Sequence, residues 1–353
     1  MEDTIYDLME QAQDLPGGAA KLALLEEAVR LADTSGLKEL AYEIRGEIVD
    51  CAIFNGYPLK SLIAFSWQLG QFDQNPEEYD ADELLWNYKW ILGKVCSFSN
   101  ISKTQIEDLA EDMRRRYAEY GYNERPYYYY KFRIAMDMGE LDEARRYLDT
   151  FRLVERDSMS DCEACEQSQM VRFYYLTGED EQALAVAKPI LSGRMKCAEV
   201  PHVTLSQVLL PLYRQGEVAQ AKDNHRKGYR LIRDDRDFLK TIAEHIEYLA
   251  IADPIQGIDV VERHLHMALD YESGLEQMYF YATMVSLLQK LDTAGEKRLI
   301  RLPASLEWGK EDRTLTEIIA YFRPLAESAA ADFDRRNGNT FYSDWIGKIV
   351  QMA

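Results

Sequence analysis

Apolar residues recur along this chain at spacings of three and four, and strand-like alternation is nearly absent. The stretch AAKLALLEEAVRLADTSG illustrates the pattern. Leu22, Leu25, Ala28, Val29, Leu31 and Ala32 cover one broad face of a helix. Gly36 follows as a residue able to take a left-handed C-cap. Most such runs span about 13 to 20 residues, separated by short breaks, and the ten prolines lie mostly near those breaks. The pattern predicts an all-α protein.

The breaks themselves repeat. Gly139-Glu140 through Ala144, Gly178-Glu179 through Ala183 and Gly216-Glu217 through Ala221 align without gaps as G-E-x-x-x-A, their glycines 39 and 38 residues apart. Glycine can end one helix in the left-handed region. The acid then sits at the positive end of the next helix dipole, and alanine lets two helices approach closely. Extended by about 38–42 residues per step, the register lands on turns at Leu15-Pro16, Gly56-Tyr57, Phe98-Ser99, Asp253-Pro254 and Gly295-Glu296. A lone helix pair cannot bury its apolar face, so successive pairs must stack.

This unit resembles the tetratricopeptide repeat (TPR), most clearly over residues 125–235. In the aligned unit Tyr128, Phe132 and Ala135 take first-helix core positions, and Ala144 and Leu148 second-helix ones. It departs from the family in three ways. The small first-helix residue is replaced by Phe132, Val171 or Leu209, and the proline at the repeat end is missing. The period also exceeds the family's length of about 34 residues. The resemblance implies a right-handed α-solenoid of stacked antiparallel helix pairs, binding protein or peptide on its concave face. Residues 1–295 would form the TPR-like array, about seven helix pairs, and 296–353 the C-terminal capping helices. Carried over from the family, the groove positions are Tyr129, Arg133, Arg172, Tyr175, Tyr213 and Arg214. Tyrosine and arginine are favoured anchors, and such a cationic groove would suit an acidic segment or a free carboxylate. The chain is also similar in length to bacterial TPR proteins. An alternative is therefore a peptide-sensing regulator of the Gram-positive TPR receptor type, although residues 1–60 read as further repeats and not as an effector module.

Beyond Gly295 the pattern changes. RLPASLEWGKEDR reads as a loop, Thr314 with Glu317 as a capping box for a long helix, and Pro324 as a point where that helix bends. FDQNPEEYDAD, at 72–82, reads as a longer surface loop.

Two breaks carry candidate chemistry. Cys162-x-x-Cys165 and Cys197-x-x-x-x-His202 supply the donors of a zinc site made of three cysteines and one histidine. Counted from their turn glycines, Cys162 and Cys165 stand at +23 and +26, and Cys197 and His202 at +19 and +24, so both pairs leave a second helix at the same place. Neighbouring repeats put such loops about 8–10 Å apart, within reach of one tetrahedral ion. Zinc held this way would be structural, with no open position. The cysteines can also be read as apolar fillers, or Cys162 and Cys165 as a redox pair.

Composition narrows the rest. Among 353 residues, 41 basic and 61 acidic side chains give a net charge of −20, which disfavours nucleic acid and anionic membrane as partners. The opening MEDTIYDLMEQAQDLPGG lacks the basic and apolar regions of a signal peptide, and no stretch approaches the roughly 18 apolar residues of a spanning helix. Five cysteines do not make a disulfide scaffold, so a reduced, cytoplasmic protein is expected. The basic run HRKGYRLIRDDR spreads over several helix faces and reads as a solvated surface, while His264 and His266 read as packing or surface residues. Nucleophile-elbow, phosphate-loop, zincin and dinucleotide signatures are all missing, so no enzyme is expected.

Overall fold

Each aligned turn is closed in the same way. In the computed structural model, which describes residues 2–306, 308 and 313–351, Gly139, Gly178 and Gly216 have φ of 73°, 74° and 83°. The amide of the following acid reaches back to the carbonyl of Ala135, Tyr174 or Leu212 at 2.8, 2.8 and 2.9 Å. The glycine amide bonds Met136, Tyr175 or Tyr213, completing a Schellman cap. The acid's own carbonyl then accepts from Ala144, Ala183 or Ala221, which opens the next helix. Those three alanines are fully buried, where helix backbones approach most closely.

The helices pair in chain order: α1 (Glu2–Gln13) with α2 (Ala19–Ser35), α3 (Lys38–Ile53) with α4 (Pro58–Gln74), and α5 (Ala81–Lys94) with α6 (Lys103–Glu119). They continue with α7 (Arg125–Asp137) and α8 (Leu141–Phe151), then α9 (Glu163–Leu176) and α10 (Asp180–Leu191). In the next unit the first helix is split into α11 (His202–Gln207) and α12 (Leu209–Arg214), ahead of α13 (Val218–Ile232). Pro211 offers no amide to the Gln207 carbonyl and its ring crowds it, so the helix breaks between them. α14 (Leu239–Ala252) pairs with α15 (Pro254–Leu269), followed by α16 (Gly274–Thr293), α17 (Leu315–Asn337) and α18 (Phe341–Gln351). The outlying turns expected from the register all fall between helices, and no strand occurs among the described residues. The fold is an all-α, TPR-like solenoid. Thr314 and Glu317 form both halves of their capping box. Residues 307 and 309–312 of the expected loop lie outside the described residues. The acidic 72–82 stretch is shorter as a loop than expected, since α4 runs to Gln74 and Asp80 caps α5.

The array curls until distant repeats meet. On α17, the Arg336 guanidinium donates to the carbonyls of Cys96 and Phe98 at 2.9 and 3.0 Å. Asn339 donates to Met138 at 2.7 Å, and Ser273 to Ser97 at 3.0 Å. Lys94 pairs with Asp237 at 3.0 Å, and Arg236 donates to the Gly56 carbonyl at 3.1 Å. Two large apolar cores result, one built mainly from α1–α9 and the other from α9–α18, with Phe173 of α9 in the first and Val171 in the second, and a small third cluster joins Ala164, Ile190 and Val200.

In the second core three buried histidines meet. His225 Nδ1 lies 3.0 Å from His245 Nδ1, and the Tyr229 hydroxyl 2.9 Å from His264 Nε2. Burial pushes His225 and His264 down to about 4 and His245 well below the usual imidazole value. A folded value lowered in this way gives stability that is complete above about pH 6.5 and is lost as pH falls toward about 4. Urea unfolding at each pH should therefore find wild type losing on the order of 2–3 kcal/mol relative to His264→Gln over that window. Parallel profiles for the two proteins would contradict this.

Candidate functional site: a chamber edged by three cysteines

Where distant repeats meet, they line a half-open chamber of about 380 Å³. Trp86, Trp90, Tyr129 and Tyr130 supply aromatic wall. Its cations are Lys94, Arg133, Arg172 and Lys240, and its carboxylates are Asp137, Asp161, Glu199, Asp237, Glu244 and Glu276. The expected cationic groove is thus a mixed-charge interior, because the facing repeats bring their own acids into it. Several charges are neutralised within the wall. Lys94 pairs with Asp237, Arg172 with Asp137, and Asp161 with the fully buried Lys89 at 3.0 Å. Glu244 accepts from the Ser206 hydroxyl at 2.5 Å, and Glu276 from Ser97 at 3.1 Å. Burial lowers Lys240 and raises Glu244 and Glu276 toward their neutral forms.

Arg133 differs from the other cations. Among the described residues no acceptor meets its guanidinium, which lies over the rings of Tyr130 and Tyr129 at 4.8 and 5.7 Å. Its Nε is buried and unpartnered, as are the hydroxyl of the fully buried Tyr130 and the side-chain carbonyls of Gln169 and Gln207. All four residues line the chamber. Buried polar atoms without partners are uncommon in native proteins, and these four can be met by water or by a polar ligand in the chamber.

The six groove residues are not equivalent in place. Arg133, Arg172 and Tyr129 line the chamber, with Tyr129 almost entirely buried. The Tyr175 hydroxyl faces Glu247 at 3.4 Å. Tyr213 packs edge-on against Tyr248, and the exposed Arg214 pairs with Asp180 at 3.2 Å. Only the first three therefore share one space.

Three of the four expected metal donors come together. Cys162 caps the start of α9, Cys165 lies in its first turn, and Cys197 belongs to the loop between α10 and α11. Their sulfurs all lie within 4.8 Å of one another, with Cys165 and Cys197 at 3.1 Å. The Cys165 amide donates to the Cys162 sulfur at 3.3 Å. A hydrogen bond from the Cys165 thiol, joined by the amides of Glu199 and Val200, lowers Cys197 below the usual thiol value. The same shared bond, with burial, raises Cys165. Three convergent sulfurs are the donor type that a thiophilic ion takes. His202 is not part of this group. As the first residue of α11 it stacks on Phe238, ring centroids 5.6 Å apart, and its buried Nδ1 has no partner. Of the expected set of three sulfurs and one imidazole, the three sulfurs converge, while the His202 ring packs on Phe238 from the following unit.

Sequence reasoning missed Trp86, Trp90, Lys94, Lys240 and Glu244. They come from helices more than a hundred residues apart and meet only through the curl. One signal was available: Lys240, Glu244 and Glu247 interrupt the otherwise apolar helix LKTIAEHIEYLAIA.

No family model matches the chain, and no curated protein matches it. Among solved structures, a chain from the crystal structure of the APC/C hetero-tetramer Cut9-Hcn1 matches 98% of this chain at 14% identity with a TM-score of 0.52. This chain spans 62% of that one's length. The likeness is one of fold. No helix among the described residues is long and apolar enough to cross a membrane.

Proposed function

Starting from a TPR-like helical-repeat fold, we propose that the protein is a cytoplasmic protein-interaction scaffold whose recognition site is the chamber. The ligand is a short acidic segment or chain end of a partner, its carboxylate received by Arg133. The observation that carries this reading is the guanidinium of Arg133, unpaired beside the unpartnered Tyr130 hydroxyl. A volume near 380 Å³ is at the small end of ligand pockets, enough for a side chain or terminus and too small for a folded domain. One zinc at Cys162, Cys165 and Cys197 belongs to the same reading. It would tie α9 to the loop before α11 and so fix one edge of the chamber. Residues 296–353 serve as the cap.

Calorimetry with short acidic peptides tests this. Arg133→Gln should weaken binding roughly 10–100-fold, the worth of a charge-assisted hydrogen bond lost with its partner left buried. Arg226→Gln, at the exposed outer surface, should leave it unchanged. Equal binding by Arg133→Gln, or none by wild type, would overturn the proposed site.

A further inference from the structure

We propose that the metal held by the three cysteines keeps its fourth coordination position open to the chamber, where it takes an exogenous thiolate. This rests on the zinc reading above and departs from a purely structural staple. A structural zinc site has four protein donors, whereas three donors leave a position for water or an incoming ligand. Among the described residues only Cys162, Cys165 and Cys197 converge, and no carboxylate or imidazole joins them. His202, the expected fourth ligand, stacks on Phe238 and lies outside the cluster. All three cysteines line the chamber, so the unfilled side of the cluster can face the space bounded by Gln169 and Arg133.

The donor set selects the incoming atom. Three thiolates make a soft site that favours zinc or a similarly thiophilic ion, and a fourth sulfur completes the common all-thiolate tetrahedral shell. The exchange is balanced: a metal-bound water leaves, the thiol gives its proton to solvent, and a metal–sulfur bond replaces the metal–oxygen bond. A thiol that also carries a carboxylate would meet Arg133 in the same chamber. Such a ligand can be a small mercapto-acid or a cysteine within an acidic segment, and the shared chemistry is thiolate plus carboxylate.

The test uses the reduced, full-length protein freed of metal and titrated with cobalt(II), whose visible bands report its coordination. One cobalt per chain is expected, displaced by zinc and lost in Cys197→Ser. His202→Ala should bind cobalt as wild type does. Mercaptoacetate, and separately a cysteine-containing acidic peptide, should then shift the bands to saturation. The Arg133→Gln variant should need more mercaptoacetate for the same shift. If only the peptide shifts the bands, the ligand is a protein segment. If mercaptoacetate does as well, a free small thiol suffices. Bound cobalt whose bands neither thiol moves overturns the open position while leaving the zinc reading intact. Cobalt affinity falling roughly 10–100-fold in His202→Ala would also overturn it, by making the imidazole a partner of the site. No cobalt binding by folded wild type, judged by its helical circular dichroism, overturns both.

Discussion

Lys89→Ala is expected to lose about 3–5 kcal/mol in urea unfolding, the cost of leaving a buried carboxylate without its cation. Lys89 is fully buried on α5. Its ammonium lies 3.0 Å from Asp161 and 2.7 Å from the Met159 carbonyl, and 3.3 Å from the ring centre of Trp86. Burial lowers its pKa despite the neighbouring carboxylate, so the charge is held at a cost. Removing only the lysine strands Asp161, whereas Lys89→Met with Asp161→Asn removes both charges and should restore most of the stability. The pair matters beyond stability because Asp161 immediately precedes Cys162. The same loop is held further by Arg125 and Arg156, which converge on the buried Glu166 at 2.7 and 2.6 Å. Cobalt affinity should accordingly drop in Lys89→Ala and recover in the double variant. A single variant as stable as wild type would mean that water replaces the ammonium.

Gly139→Ala and Gly178→Ala should differ although their turns are nearly identical. Both glycines hold φ of 73–74°, where a side chain costs about 1–2 kcal/mol. A Cβ on Gly178 would meet nothing within 4 Å, but one on Gly139 would collide with the side chain of Phe341 on α18. Overpacking adds about 1–3 kcal/mol, so Gly139→Ala is expected to cost about 2–5 kcal/mol in all. In a Phe341→Ala background the steric part should vanish, leaving the value of the Gly178 site. Equal losses at the two glycines in the wild-type background would mean that α18 does not dock on this turn.

The repeats were legible because their signals are local. A glycine, the acid beside it and an alanine five positions on decide one cap and one helix contact, and these lie within a few residues of one another. The cysteines were legible for a related reason, since equivalent loops of adjacent repeats are neighbours whatever the curvature. His202 was not, because its orientation depends on Phe238 in the following unit. The chamber was hidden further still. Whether Lys94 meets Asp237, or Arg336 the carbonyl of Cys96, depends on the accumulated rotation between many repeats, and no short pattern encodes that sum. The groove residues carried over from an open superhelix lost their common surface for the same reason.

The contacts of Arg336, Lys94 and Asn339 also change what kind of mechanical object this is. An open helical array behaves like a spring, each unit answering only to its neighbours, and can fray or nucleate anywhere. Here chain positions separated by 143 to 240 residues are bonded to each other. Such a clasp makes a buckled belt, so fraying from the C-terminal end must first undo bonds to the middle. Unfolding should therefore be more cooperative, and folding slower, than the helix content alone suggests. A molecule entering the chamber meets walls that this clasp already holds together, since Lys94 and Asp237 line it.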